Sequence, residues 1–181
     1  MGMVDWLSSL FSKGAEPAEP LAPPQPSLPV ERRCRDRMNA RPGTRVLIID
    51  DSKTIVAALR KMLHSAGYRT LDAFDAESGL EIARSQPVDL IFLDIVLPGM
   101  NGFSALRQLR KDAQTREIPV IMMSGNEQAT EQFFGSRIGA DDFMKKPFSR
   151  IEVFARIERL LDSEFTPRRL PPSSQPVLAR V

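Results

Sequence analysis

The chain has 181 residues, 42% of them hydrophobic and 27% charged, enough apolar material for one globular domain but not for two. The formal net charge is +2, and residues 45–164 hold 16 Lys/Arg against 18 Asp/Glu, which excludes a domain that binds nucleic acid by its charge. A single cysteine, Cys34, excludes an intrachain disulfide, and no run of about 18 apolar residues is present to span a bilayer.

A reducing cytoplasm is therefore the expected compartment, with recruitment to a membrane-associated complex compatible with it. The first residues lack the basic flank, long apolar stretch and cleavage site of a secretory signal.

Residues 1–13 read as an amphipathic helix, because Met3, Trp6, Leu7, Leu10 and Phe11 fall on one stripe opposite Ser8, Ser9 and Ser12. Such a stripe needs a cover: its own domain, another protein's groove or a membrane surface. Lys13 is the one positive side chain before the linker, which argues against this peptide as a strong membrane anchor by itself. Residues 14–43 read as a linker. Six prolines between Pro17 and Pro29 keep its first part extended, and residues 31–45 follow with six arginines against Glu31 and Asp36.

A folded domain is expected over residues 44–163. Arg45–Asp50 is a short apolar run ending in acid, followed by Ile55, Val56, Leu59, Met62 and Leu63 at helical spacing and closed by Gly67. Arg69 to Ala73 reads as a weak strand and Ala76 to Ser85 as a helix. Val88 to Leu93 is a buried strand, and Phe103 to Lys111 a helix. Pro119 to Met123 is another strand, Glu127 to Ile138 a helix, and Asp142 to Met144 a short strand. Ile151, Phe154, Ile157 and Leu161 line a closing helix. Residues 164–181, rich in proline after Phe165, read as a disordered tail with no fold of their own.

Five strand–helix units with continuous apolar strands predict an α/β fold, a doubly wound parallel sheet with helices on both faces. In such a sheet the site lies beyond the carboxyl ends of the strands. Those ends carry Asp50 and Asp51, then Asp94, Ser124 and Lys146. A carboxylate can attack phosphorus to give an acyl phosphate, but several carboxylates facing a phosphoryl group require a hard divalent cation, with Mg²⁺ the natural candidate. Lys146 and Ser124 supply a charge and a hydroxyl to the transferring oxygens.

Four segments, Val46–Ser52, Leu93–Gly102, Met123–Gly125 and Gly139–Phe148, resemble the receiver domain of bacterial response regulators (CheY-like) over about residues 44–163. The resemblance implies a flavodoxin-like sheet of order 2-1-3-4-5. It implies Asp94 as phosphoacceptor, Asp50, Asp51 and Asp94 with the backbone carbonyl of Val96 as Mg²⁺ ligands, and Lys146 and Ser124 as catalytic partners. Phe143, with Ser124, is the implied switch.

A histidine kinase or phosphotransfer protein is the implied donor. The implied output is a phosphorylation-dependent protein contact through the fourth helix, fifth strand and fifth helix, with residues 3–11 as a further contact. The receiver is then not an enzyme, although it assists its own phosphorylation and dephosphorylation. The phrases Ile49 to Ile55 and Lys146 to Ser149 are similar to single-domain regulators of twitching motility. Val96 is apolar where some relatives have a polar side chain, so a long-lived phosphorylated state is expected.

Other readings set the scale. A lone Asp-Asp at a strand end is more often a turn or helix cap, and Lys145-Lys146-Pro147 alone a solvated loop. A phosphorylation-independent adaptor built on the same fold is the alternative from another class. A haloacid-type phosphatase is disfavoured because no acid stands two residues after Asp94. His64 reads as a surface residue. Phe133 and Phe134 are adjacent and cannot both face the sheet, so one is expected on an exposed partner surface beside Phe143.

Overall fold

The computed structural model describes residues 38–135 and 139–169. The helix expected over residues 1–13, the linker before residue 38 and the tail beyond residue 169 lie outside these. Strands and helices alternate as β1 (Arg45–Ile49), α1 (Lys53–His64), β2 (Arg69–Ala73), α2 (Ala76–Ser85), β3 (Leu90–Asp94), α3 (Gly102–Lys111), β4 (Val120–Ser124), α4 (Glu127–Gly135), β5 (Asp142–Lys145) and α5 (Arg150–Glu158). All strand pairs are parallel, in the order β2-β1-β3-β4-β5. This is the expected doubly wound α/β fold.

The apolar runs follow from burial on both faces. Along β1, Leu47 and Ile49 join β3 and β4 residues beneath α2 and α3, while Val46 and Ile48 face the opposite layer with Leu59 and Leu63 of α1 and Phe154 and Ile157 of α5. Each fully buried Leu or Ile there is worth roughly 1.5–3 kcal/mol. At Gly79, α2 lies so close to β1 that a Cβ would fall 2.5 Å from Cδ1 of Ile49. At the sheet edge β2 is half-buried, and for that reason its sequence is weakly apolar.

At the carboxyl edge the chain turns into a helix under side-chain caps. Ser52 caps α1, Asp75 α2, Asn101 α3 and Ser149 α5, each accepting a backbone N–H two or three residues into its helix. These caps fix the loops that carry the candidate site.

Two expectations need correction. Ile151 does not line the closing helix's buried face but is 65% exposed, and Leu161 lies beyond the helix. On the helix the buried stripe is Val153, Phe154 and Ile157, continued past its end by Leu160, because burying these three apolar side chains fixes the phase that turns Ile151 outward; Arg150 lies over the Phe154 ring at 4.8 Å. The tail expected from residue 164 is held as far as Arg169. Leu161 bridges Pro167, the Arg168 N–H donates to the Leu160 carbonyl at 2.7 Å, and Arg169 reaches Asp141 and the Gly139 carbonyl. Proline content hid this because Pro167 needs no donor of its own at a bridge.

Candidate functional site

The side chain of Asp50, immediately beyond β1, is fully buried and its Oδ1 accepts the Ser52 N–H at 3.0 Å, so the residue that caps α1 also fixes this carboxylate. Asp51, beside it, is exposed. Asp94 ends β3 at 4% exposure, with Oδ1 accepting the Val96 N–H at 3.3 Å. Lys146 follows β5, and its Nζ stands 2.6 Å from Asp50 Oδ2 and 2.7 Å from Asp94 Oδ2. The second contact is an aligned hydrogen bond. The first is an ion pair without that alignment, leaving the buried Asp50 Oδ2 with no hydrogen-bond donor.

Burial pushes the Asp94 carboxyl above the usual carboxylate range, the Lys146 ammonium pulls it back and the Asp50 charge adds to the rise. One oxygen from each of Asp50, Asp51 and Asp94 lies within 4.8 Å of the others. Three carboxylates against one ammonium leave two negative charges and an oxygen-only donor set. With an undonated oxygen on Asp50, this fits a hard divalent cation such as Mg²⁺.

Ser124, the last residue of β4, is fully buried; its Oγ accepts the Asn126 N–H at 3.1 Å, and its carbonyl accepts the Lys146 N–H at 2.8 Å. The residue at the start of α4 and the lysine after β5 thus meet on one serine. Phe143, in β5, is 5% exposed and stacked on Phe133 of α4, with ring centroids 4.8 Å apart. Phe133 therefore does lie beside Phe143, but half-buried against the core rather than fully presented to a partner; the side chain of Phe134 lies outside the description. Val96 is 51% exposed. His64 is exposed, 3.0 Å from the Thr70 hydroxyl.

One positioning residue escaped the sequence reading. A Cβ on Gly102 would fall 2.0 Å from the Asp94 carbonyl oxygen, so only glycine lets α3 begin against the strand end that carries Asp94. The signal was Asn101-Gly102, which reads equally as an ordinary turn.

A family model described as the response regulator receiver domain matches residues 46–158. The chain belongs to this family. Receiver domains are signalling domains of two-component systems. Protein PilH of Pseudomonas aeruginosa is 41% identical over 117 residues, covering 65% of this chain and 97% of that protein. The transcriptional regulatory protein PhoP of Bacillus subtilis is 37% identical over 117 residues, and there the match spans about half of the relative, 48%.

Among solved structures, the chemotaxis protein CheY4 of Vibrio cholerae aligns with a TM-score of 0.61 at 28% identity, over 66% of this chain and 99% of that one. The receiver domain of the sensor histidine kinase PA1611 from Pseudomonas aeruginosa aligns with a TM-score of 0.58 at 30% identity, over 65% and 95% respectively. It was solved with magnesium coordinated in its active-site cleft. Within the described part of this receiver, no helix is long and apolar enough to cross a membrane.

Proposed function

We propose that this receiver accepts one phosphoryl group on Asp94 from a histidine kinase or phosphotransfer protein and signals by a phosphorylation-dependent protein contact. The observation that supports this best is the pairing of Lys146 with Asp50 and Asp94 at 2.6 and 2.7 Å, which gathers residues from three strand ends on one point. An Asp94 carboxylate oxygen forms the new O–P bond as the donor's N–P bond breaks and the electron pair leaves with the imidazole nitrogen. The Val96 N–H and the Lys146 ammonium hold the carboxylate, and the ammonium then faces the charge gathered on the phosphoryl oxygens.

Asp50, Asp51, Asp94 and the Val96 carbonyl are the proposed holders of Mg²⁺, which when bound neutralises the carboxylates and the incoming phosphoryl charge. Ser124 donates to the new phosphate after exchanging its Asn126 contact, and Phe143, stacked on Phe133, passes that exchange to α4, β5 and α5. A cytoplasmic site of action belongs to this reading, since its donor is a kinase phosphohistidine.

The test is incubation with acetyl phosphate and Mg²⁺ followed by intact-mass measurement. The expected result is one added phosphoryl group, absent in Asp94→Asn and after chelation. No added mass in the wild type would leave the adaptor reading, and sustained release of inorganic phosphate with no protein-bound phosphoryl would leave the hydrolase one.

A further inference from the structure

Between β4 and α4 a single peptide oxygen receives three donors. Asn126 caps α4, its Oδ1 accepting the Ala129 N–H at 3.2 Å. Its carbonyl opens the helical ladder by accepting the Thr130 N–H at 3.0 Å. The Thr130 hydroxyl folds back on the same oxygen at 2.8 Å, and the Ser124 hydroxyl donates to it at 3.4 Å.

A carbonyl oxygen offers two lone pairs. Thr130 fills both, through its amide and its hydroxyl at ordinary lengths, which leaves Ser124 a bond longer than an O–H donor normally makes. The Asn126 N–H meanwhile donates to Ser124 Oγ at 3.1 Å and holds that oxygen in place. Ser124 is fully buried, so bulk water supplies its hydroxyl with no better acceptor. Back-bonding by a threonine inside a helix slightly weakens the helix. Here it falls on the one carbonyl that the helix shares with Ser124.

We infer that Thr130 is a positioning residue for Ser124: by saturating the Asn126 carbonyl it leaves the serine hydroxyl weakly held at rest and ready to turn to a phosphoryl group on Asp94. The inference rests on Asp94 as the phosphoacceptor and adds a residue of α4 that stands outside the carboxylate cluster. Without the Thr130 hydroxyl one lone pair is freed, and Ser124 makes an ordinary hydrogen bond to it. That bond exists only at rest. It must be given up when Ser124 turns, so the phosphoryl-bound state is disfavoured by its worth.

The experiment is a titration of the full chain with beryllofluoride, a phosphoryl mimic, in the presence of Mg²⁺, followed by backbone amide NMR. Thr130→Val is expected to bind the mimic about fivefold more weakly than the wild type, the worth of one net hydrogen bond. Thr130→Ala is expected to match it, although valine is a poorer helix former than threonine's neighbours in the scale and alanine the best one, because both lack the hydroxyl. Thr130→Ser, which keeps the hydroxyl, is expected to bind as the wild type does. In a Ser124→Ala background Thr130→Val is expected to change nothing further, since no serine hydroxyl remains to be captured. That arm separates positioning from a loss of helix stability, which would weaken binding in both backgrounds.

Equal affinity in Thr130→Val and the wild type, opposite changes in Thr130→Val and Thr130→Ala, or the same loss with and without Ser124 overturns the inference and leaves Asp94 as the acceptor. No uptake of beryllofluoride by the wild type overturns the phosphoacceptor reading, and the inference with it.

Discussion

Gly102 faces Asp94 so closely that a Cβ on the glycine would sit 2.0 Å from the aspartate's carbonyl oxygen and 2.9 Å from its carbonyl carbon. Neither contact is with a flexible side-chain tip. Relief requires α3 to retreat or the loop after β3 to shift, and both carry Asp94 with them. Gly102→Ala is expected to cost about 3 kcal/mol in urea unfolding, at the upper end for overpacking. At a temperature where the variant remains folded, it is expected to accept phosphoryl groups from acetyl phosphate at a fraction of the wild-type rate. Full-rate phosphorylation in this variant would show that the contact does not position Asp94.

The sole tyrosine, Tyr68, is 4% exposed and its oxygen accepts the Ala40 N–H. Burial raises its phenol above the ordinary value and the Ala40 contact offsets this in part. A folded-state value above the unfolded one means that the stabilisation is complete below about pH 10 and is lost as pH rises through the folded value. Absorbance at 295 nm is expected to titrate at higher pH in the native protein than in 6 M guanidinium. Tyr68→Phe is expected to remove this alkaline sensitivity while costing about 1–3 kcal/mol at neutral pH, because the Ala40 N–H loses its acceptor.

Arg110 and Arg169 meet on the buried carboxylate of Asp141, at 2.8 and 3.2 Å, and both donate to the Gly139 carbonyl. Arg110 also holds the Arg116 and Ile118 carbonyls, and burial lowers its guanidinium to about 10. Removing the deeper partner leaves the buried carboxylate with only the more exposed Arg169 and the Val120 N–H, and frees the Arg116 and Ile118 carbonyls. Arg110→Ala is therefore expected to cost about 3–5 kcal/mol. Arg169→Ala, which leaves Arg110 in place, is expected to cost about 1 kcal/mol in the same urea titration. Equal losses would mean that the segment after α5 carries more of the fold than its contacts indicate.

The arginine pair also shows where the sequence is legible. Strands β1, β3 and β4 were readable because both faces are buried, which forces an unbroken apolar run, and the four motif segments placed Asp50, Asp94, Ser124 and Lys146 at strand ends. Position-specific packing was not readable. Which face of α5 turns inward depends on where Val153, Phe154 and Ile157 meet the opposite layer, and the attachment of residues 165–169 depends on partners distant in the chain, Arg41 for Phe165 and Asp141 for Arg169. Neither relationship has a periodic signature. Gly102 was visible as a residue but not as a constraint, since a turn and a close approach select glycine equally.

Val96 bears on how long a phosphoryl group would stay on Asp94. Its N–H is tied to Asp94 Oδ1, while its side chain, 51% exposed, stands in solvent beside the site and has no polar atom with which to hold an attacking water. Substituting an amide would supply one acceptor without altering the backbone N–H. One hydrogen bond made to that water in the transition state, worth about 1.4 kcal/mol, corresponds to about a tenfold faster loss. Val96→Asn is thus expected to shorten the lifetime of the phosphorylated protein about tenfold, followed by intact mass after the phosphodonor is removed. Because the substituted atom is exposed, thermal stability is expected to stay within about 0.5 kcal/mol of wild type, so a shortened lifetime would not reflect unfolding. An unchanged lifetime would instead place the attacking water out of reach of residue 96.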